Sequence, residues 1–202
     1  MDTVWGNRVF EECSSLQSIT IPPTTSKTGV GIFYGCKKLT SITAPFVGSS
    51  LTEDRDKEVI SDLVNTLKSW FAFWSDSVPC FWDPDNLTTF ILTKDVQLAE
   101  GAFSNYNTLQ AIQLLGTITT IPDRAFDGCT SLRCVSNNIG KDEAQFKINL
   151  PNLTTIDDYA FQGCSSIKSF EFPNSLETIG VEAFKGCTSL KQIVSIGNES
   201  TS

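Results

Sequence analysis

Apolar and polar residues follow a pattern that recurs about every 23 residues along most of this 202-residue chain. The pattern opens with an apolar-x-x-apolar segment, passes through an apolar residue followed by Phe, and ends in Leu-x-x-Ile or an equivalent. Its copies are VFEECSSLQSI (9–19), IFYGCKKLTSI (32–42), AFSNYNTLQAI (102–112), AFDGCTSLRCV (125–135), AFQGCSSIKSF (160–170) and AFKGCTSLKQI (183–193). A fixed period of this length predicts a repeat protein.

One position of the pattern, which we call the cysteine slot, is Cys in five of the six copies and Tyr in the other one. The slot residues are Cys13, Cys36, Tyr106, Cys129, Cys164 and Cys187. They lie 23, 70, 23, 35 and 23 residues apart. The two long intervals therefore mark two interruptions of a 23-residue repeat.

Each repeat contains a predicted β-strand. Leu-x-x-Ile-x-Ile alternates inward and outward side chains as a short strand does, and prolines follow the strand at Pro22, Pro45 and Pro173. One repeat cannot bury its own apolar face, so successive repeats must stack. We predict an α/β leucine-rich-repeat solenoid, right-handed, with 23-residue repeats and a parallel strand stack. We expect one domain over 1–202, with repeats over about 5–45 and 87–196.

The first interruption, about 46–86, predicts a helical, aromatic-rich insertion. Ser50 and Glu53 form a capping box at the start of a helix over 49–74. Apolar residues then follow a helical stripe at Ile60, Leu63, Val64, Leu67, Phe71 and Trp74. The second interruption, about 135–152, is polar and predicts a longer loop.

Aromatic residues crowd the end of the first insertion and allow two interpretations. Trp70, Trp74 and Trp82 could form an exposed platform for a glycan or a protein, since large aromatic side chains dominate binding hot spots. The same rings could instead pack the insertion onto the solenoid, which is the commoner role of a helical stripe and the favoured one here. The adjoining FWDPDN (81–86) predicts a tight turn, because it lacks the Gly and the distal Glu of a calcium loop.

The cysteines predict packing and no chemistry. The chain has no His and no Cys-x-x-Cys pair, which disfavours a zinc site and removes the usual base of a Ser or Cys nucleophile. Slot cysteines in stacked repeats would place their Cβ atoms about 4.8 Å apart, beyond the roughly 3.5–4.5 Å of a disulfide. We expect a ladder of buried thiols, with Cys80 and Cys134 outside it as the better candidates for reactivity. We predict no catalytic residue, no cofactor and no metal.

The strand positions predicted to face outward are small, polar and nearly uncharged. As ligand-binding candidates they comprise Thr20, Ser41, Thr43, Gln113, Ser136, Ser169, Glu171 and Gln192, besides the three tryptophans. Such a surface suits contact with a protein, and its single carboxylate does not suit the paired acids of a glycosidase.

The net charge and the targeting signals of the sequence limit the classes of molecule that this protein is expected to bind and its expected location. The net charge of −8 disfavours nucleic acid and anionic membranes, and no apolar stretch is long enough to span a bilayer. The opening MDTVWGNRVF is not a secretory signal. Sequons at Asn86, Asn152 and Asn198 would accept glycans only in a secreted eukaryotic protein. The chain begins inside a repeat, so we expect part of a longer surface protein, or an exposed end that pairs with another copy.

The wording A-F-x-G-C-x-x-L-x-x-I-x-I-P resembles the BspA-like leucine-rich repeats, also called the TpLRR type. The resemblance covers 5–45 and 87–196. It implies a surface-exposed protein of bacteria or mucosal protists that adheres to or binds host protein, with no catalytic motif to carry over. We therefore expect a non-catalytic cell-surface or secreted adhesion module for a host or matrix protein. The alternatives are a carbohydrate-binding surface on the Trp-rich insertion and an intracellular interaction scaffold; an enzyme is the least favoured.

Overall fold

The computed structural model describes residues 2–48, 67–75, 78–81, 84–94, 98–114, 118–137 and 147–195. The chain divides into two compact units, Met1–Lys94 and Asp95–Ser202, which are described in turn. The assignment of a single domain over 1–202 stays a prediction.

The first unit is built on parallel strands. Its elements are β1 (Thr3–Val4), β2 (Ser18–Thr20), β3 (Thr25–Lys27), β4 (Ser41–Ala44), a 3₁₀-helix (Leu67–Phe71), β5 (Ala72–Ser75), β6 (Val78–Phe81) and β7 (Thr89–Leu92). Strand β4 lies between β2 and β7, and both neighbours run parallel to it. Strand β1 pairs with β3 in parallel, and β5 pairs with β6 as an antiparallel hairpin.

The second unit has parallel strands on two sides. Its strands are β8 (Ala111–Gln113), β9 (Thr120–Ile121), β10 (Cys134–Ser136), β11 (Lys147–Asn149), β12 (Thr155–Ile156), β13 (Ser169–Phe172), β14 (Thr178–Ile179) and β15 (Gln192–Ser195). One sheet runs β8-β10-β11-β13-β15 and the other β9-β12-β14, all parallel. This confirms the predicted parallel strand stack of a leucine-rich-repeat solenoid.

The core of each unit lies between the strands and the Phe-containing turns. An apolar residue within the strand is fully buried in most repeats, as at Ile42, Phe90, Ile112, Val135, Ile148 and Phe170. We call the Phe of each repeat the turn phenylalanine. In the second unit these rings stack at centroid distances of 5.5, 5.0 and 5.4 Å along Phe103, Phe126, Phe161 and Phe184. Apolar burial repeated at each level is the main stabilising term.

The turn that carries this Phe has two left-handed residues in each of the six copies of the sequence pattern. They lie two residues before and two residues after the Phe, as at Arg124 (φ 51°) and Gly128 (φ 72°). The second position is Gly in most repeats, and stacking explains that choice. A Cβ on Gly35 would lie 3.1 Å from the Cα of Glu12 in the preceding repeat, closer than side chains normally approach a backbone, and the positive φ at this position also favours Gly.

The predicted helix over 49–74 is wrong where it can be compared. Residues 67–71 form a 3₁₀-helix and 72–75 a strand, while 49–66 lie outside the described residues. The physical reason is hydrogen bonding. Gly31 N–H donates to Ser69 O (2.8 Å) and Phe33 N–H to Trp70 O (2.9 Å). A continuing α-helix would use both carbonyls internally, whereas here they serve the neighbouring repeat.

Residues 81–90, which lead into β7, form a further repeat that the sequence pattern did not reveal. FWDPDNLTTF (81–90) aligns with FYGCKKLTSI (33–42), so Pro84 occupies the cysteine slot. Leu87 N–H donates to Pro84 O (3.4 Å) as Leu39 N–H donates to Cys36 O (3.0 Å). The chain turns at 85–86, which confirms the tight turn; Asp83 lies outside the described residues.

The predicted loop over 135–152 is also wrong in part, because it contains strand β11. Ile148 pairs with Val135 on one side and Phe170 on the other. On the opposite sheet Thr120 pairs directly with Thr155, with no strand between them. The insertion therefore adds a strand to one side only, and that side is longer by about one strand spacing of 4.8 Å.

Replacing Ile148 with Ala should lower the free energy of unfolding by about 2–5 kcal/mol, because the side chain is fully buried in the inserted strand. Asn149→Ala, on the opposite face of the same strand, is the matched control and should change it by less than about 0.5 kcal/mol. Urea denaturation followed by circular dichroism measures both. Equal, small effects would show that 147–149 is a surface loop.

Candidate functional site

The outward side chains of the second unit form two rows across its larger sheet, which we call the outer rows. Strand register places Ala111, Cys134, Lys147, Ser169 and Gln192 in one row. It places Gln113, Ser136, Asn149, Glu171 and Val194 in the other. All five of the predicted candidates in this unit, and one residue that was missed, thus lie on the strands of this sheet.

The predicted candidates in the outer rows differ in the solvent exposure of their side chains. Gln113, Ser169 and Glu171 are half-buried and Gln192 is exposed, as outward strand residues should be. Ser136 is only 7% exposed, so its assignment as an outward contact is corrected: its hydroxyl lies below the surface that its neighbours present.

Asn149 is the residue that sequence reasoning missed. It is half-buried and lies next to Glu171 in the same row. The signal was the apolar Ile148 between polar neighbours, the alternation of a strand, but three residues inside a polar insertion were too few to recognise. With Asn149 included, the second outer row presents two amides and a carboxylate, and the buried Ser136 lies between Gln113 and Asn149.

The first unit carries a smaller surface of the same kind. Thr20 is exposed and Ser41 and Thr43 are half-buried. Ser41 pairs with Ser18 and Thr89, and Thr43 pairs with Thr20 and Ile91. This patch therefore consists of small hydroxyl side chains, and Ile91 lies beside Thr43 at its edge.

Trp70 does not belong to any exposed platform. Its side chain is fully buried, and its Nε1–H donates to the Thr28 hydroxyl (2.8 Å), which in turn donates to Gly48 O (3.2 Å). The ring packs edge-on against Phe33 at 5.7 Å and stacks on Phe90 at 6.1 Å. Trp70 as a ligand-binding residue is thus corrected, because it fills the core where a repeat is degenerate. The side chain of Trp74, in β5, and the whole of Trp82 lie outside the described residues.

The cysteine slot has a structural role beyond packing, because its thiols form hydrogen bonds between successive repeats. Four of the five slot thiols donate a hydrogen bond to the carbonyl of the turn phenylalanine one repeat earlier. The Sγ–O distances are 3.1 Å for Cys36 to Phe10, 2.9 Å for Cys129 to Phe103, 3.1 Å for Cys164 to Phe126 and 3.2 Å for Cys187 to Phe161. The same carbonyl also accepts the N–H of the slot residue in its own repeat, as Phe126 O does from Cys129 N–H at 3.1 Å.

This environment suppresses thiolate formation. Burial raises the pKa of Cys36 and of Cys187 from 9.0 to about 11 in each case, and it raises the pKa of Cys164 further. Within the described residues the cysteines are thiols, not disulfides, at Cys13, Cys36, Cys129, Cys134, Cys164 and Cys187. The predicted ladder of buried thiols is confirmed for Cys36, Cys129 and Cys164, while Cys187 is half-buried and Cys13 is exposed. Cys134 is half-buried and lies 3.8 Å from the Ser136 hydroxyl; the side chain of Cys80 lies outside the described residues.

We searched the described residues for clusters of metal ligands and for membrane-spanning helices. Among them no group of three or more Cys, Asp or Glu residues is arranged to hold a metal ion. In the same part of the chain, no helix is both long enough and apolar enough to cross a membrane.

A comparison with protein families matches this chain to the BspA type leucine rich repeat region, in 6 copies over residues 3–54 and 77–195. The chain belongs to the BspA-type leucine-rich repeat family. Its second matched segment begins at 77, ahead of the degenerate repeat with Pro84 in the slot. No significant match was found among curated proteins.

Solved structures that resemble this BspA-type chain are also leucine-rich repeat proteins. A protein from Bacteroides ovatus is 24% identical with a TM-score of 0.55, over 88% of this chain and 37% of that one. A leucine rich cell surface protein from Faecalibacterium prausnitzii is 21% identical with a TM-score of 0.45, over 98% and 52%. The T. pallidum leucine rich repeat protein is 22% identical with a TM-score of 0.39, over 53% and 72%.

At these identities the likeness concerns the fold. The chain spans about a third to a half of the length of the first two proteins. Leucine-rich repeat proteins in general serve as protein-interaction or surface modules.

The raised pKa values predict slow thiol chemistry in the folded BspA-type chain. At pH 8, iodoacetamide should alkylate the exposed Cys13 while Cys36, Cys129 and Cys164 stay unmodified until urea is added, as read by mass spectrometry of peptides. Because the folded thiols of Cys36 and Cys187 keep their protons above the unfolded pKa, their stabilising contribution should be lost as the pH rises from 9 to about 11. Rapid alkylation of Cys164 in the folded protein would contradict the ladder.

Proposed function

We propose that this chain is a non-catalytic recognition or adhesion module that binds a protein partner through the outer rows of its parallel sheet, at a cell surface or after secretion. The observation that carries the proposal is the second outer row, in which Gln113 (β8), Asn149 (β11) and Glu171 (β13) present amide and carboxylate groups from strands of one sheet.

The chemistry of this row suits protein recognition. A side-chain amide both donates and accepts hydrogen bonds, so Gln113 and Asn149 can pair with the backbone or side chains of a partner. Asn149 lies in β11, which parallel ladders fix on both sides, and Gln113 lies in β8, which pairs with β10. This pairing limits the entropy lost when a partner binds.

Support for a non-catalytic role comes from the inventory of side chains. The chain has no His, and burial raises the pKa of the Cys36, Cys164 and Cys187 thiols, which favours their neutral form. The outer rows contain one acid, Glu171, where acid–base hydrolysis of glycosides would use two.

The remaining alternatives differ in what supports them. The carbohydrate surface loses Trp70, which is buried, and keeps Trp74 and Trp82 as its candidates. An intracellular scaffold would use the same outer rows, and the thiol ladder suits a reducing compartment. The cell-surface assignment and a host or matrix partner rest on family resemblance.

Binding should be tested with purified matrix proteins and a glycan array, using biolayer interferometry with the whole chain immobilised. Gln113→Arg and Asn149→Arg should each weaken the saturable binding of a protein partner by about tenfold or more, since each places a large charge at the centre of the contact. The matched control is Thr130→Arg, which adds the same charge to an exposed turn residue outside the sheet.

Three results would contradict the proposal. One is the absence of saturable protein binding across the panel. Another is an equal loss of binding in Thr130→Arg, which would point to net charge and away from the outer rows. The third is binding restricted to glycans, which would favour the tryptophan-based alternative.

A further inference from the structure

Positive charges of the second unit are concentrated on its larger sheet. Four neighbouring strands of that sheet each carry one cation, either at the first residue of the strand or one residue before it. These residues, which we call the basic row, are Arg133 (β10), Lys147 (β11), Lys168 (β13) and Lys191 (β15). At a strand spacing of about 4.8 Å, the row spans about 14 Å across the sheet.

Backbone hydrogen bonds hold the basic row in register. Lys191 N–H donates to Lys168 O at 2.9 Å, and Arg133 N–H donates to Gln110 O at 2.9 Å in the same way. Arg133 and Lys168 are exposed although each has a paired strand on both sides. The exposure of these two cations is therefore a property of the sheet surface.

The negative charges of the second unit lie elsewhere. Within its described residues, only one carboxylate, Glu171, lies in a strand of the larger sheet. The others are on turns or beside the smaller sheet, at Glu100, Asp123, Asp127, Asp157, Asp158, Glu177 and Glu182. The larger sheet thus carries four positive charges and one negative charge, in a chain whose net charge is −8.

The other described cations of this unit belong to the turns. Arg124 lies 2.8 Å from the Asp123 carboxylate, and Lys185 lies 2.7 Å from the Glu182 carboxylate. The turns therefore combine both signs of charge, whereas the entry of the strands carries one sign.

The corresponding row of the first unit is uncharged. Thr40 N–H donates to Gln17 O at 2.8 Å, and Thr88 N–H donates to Thr40 O at 2.9 Å, so these residues occupy the positions that Arg133 and Lys168 hold in the second unit. The same strand ladder thus forms without cations. Stacking of the repeats does not require the basic row, and its charges are available for recognition.

Polarity changes from this row along the direction of the strands. The first outer row follows with the Ser169 hydroxyl and the Gln192 amide, and the second adds Gln113, Asn149 and Glu171. A ligand that lies along the strands would meet cations first, neutral hydrogen-bonding groups next and a carboxylate last. This order fits a polypeptide with acidic residues at one end of its contact and neutral residues at the other.

Screening by salt favours a short acidic segment over a long polyanion. The Debye length is about 8 Å at physiological ionic strength, so carboxylates placed against the basic row interact with it and only weakly with the distant acids of the turns. A nucleic acid or a sulfated polysaccharide would extend past the row toward Glu171 and the other acids of a negatively charged chain. Those acids repel such a polymer.

We propose that the protein partner of the outer rows carries a short segment of Asp or Glu residues that binds the basic row. This inference rests on the proposed function, because it names the chemistry of the partner at the same sheet. Arg133 can hold a carboxylate through two parallel N–H groups, and the lysines attract carboxylates as point charges. Exposed charges of this kind steer a partner toward its site and weaken with salt.

Two synthetic peptides and the whole chain provide the first test. One peptide joins a run of Glu residues to a neutral segment of Ser, Asn and Gln, and in the other Gln replaces each Glu. By fluorescence anisotropy, the acidic peptide should bind saturably in low salt and about tenfold more weakly in about 0.5 M NaCl. The neutral peptide should bind about tenfold more weakly in low salt.

Nuclear magnetic resonance of the isotope-labelled chain locates the bound peptide. The amides of Cys134, Ser169 and Gln192, which lie beside the basic row, should shift as the acidic peptide is added. Those of Ser18 and Ser41, on the uncharged sheet surface of the first unit, should keep their positions.

Charge removal tests the cations themselves. Arg133→Gln with Lys168→Gln replaces two exposed side chains and should weaken binding of the acidic peptide by about fivefold or more, while the thermal melt stays that of the wild type. Lys37→Gln with Lys38→Gln is the matched control, because it removes the same charge from two exposed positions of the first unit. This control should bind the peptide like the wild type.

A protein partner from the binding panel separates this inference from the proposed function. If the partner binds Arg133→Gln with Lys168→Gln as well as the wild type and is lost in Asn149→Arg, the inference fails and the proposed function stands. If the acidic peptide binds as described and no protein of the panel does, the basic row is supported and the proposed function fails.

Other results would also overturn the inference. One is an acidic peptide that shows no saturable binding in low salt. Another is an equal loss of binding in Lys37→Gln with Lys38→Gln, which would indicate dependence on net charge alone. A third is binding of heparin or single-stranded DNA that is tighter than that of the peptide and is lost in Arg133→Gln with Lys168→Gln, which would assign the row to a polyanion of another class.

Discussion

The carbonyl of the turn phenylalanine is the group on which the rest of the structure depends. It accepts the N–H of the slot residue in its own repeat and the thiol of the slot cysteine in the next, as Phe126 O does from Cys129 and Cys164. One acceptor thereby fixes both the shape of a turn and the distance to its neighbour. The amide of the same Phe donates onward to the next repeat, so the turns form a hydrogen-bonded column beside the strands.

Three irregular repeats show how much variation that column allows. Tyr106 fills a slot and is 1% exposed, and the following Cys129 still reaches Phe103 O at 2.9 Å. Pro84 fills another slot and keeps the turn bond from Leu87. The 3₁₀-helix at 67–71 supplies carbonyls to the first unit where no regular turn follows. The side chain in the slot can therefore change provided that the backbone bonds between repeats are made.

Much of the fold could be predicted from the sequence because a repeat states the same pattern several times. The register of Cys129 and Cys164 predicted a ladder of thiols, and the Ile-x-Ile alternation predicted the parallel strands. The predictions for the two insertions failed because the sequence of each insertion occurs only once in the chain, so no second copy supports an assignment. The apolar stripe that ends at Trp74 fits a helix equally well, and only the partners of the Ser69 and Trp70 carbonyls decide against it.

The candidate surface was predictable in outline only. Strand alternation found Gln113 and Glu171, but it missed Asn149 and overstated Ser136, because exposure depends on which strand lies next to which. The sequence order of β10, β11 and β13 does not reveal that β11 enters one sheet and leaves the opposite sheet unchanged.

Native-state hydrogen exchange of dilute protein tests most directly whether the column of turns holds the repeats together. The amides of Phe126 and Phe161, bonded to Ala160 O and Ala183 O, should exchange only with global or near-global opening, whereas the Phe184 amide should exchange quickly. Fast exchange at Phe126 and Phe161, or protection of Phe184 equal to theirs, would contradict the account.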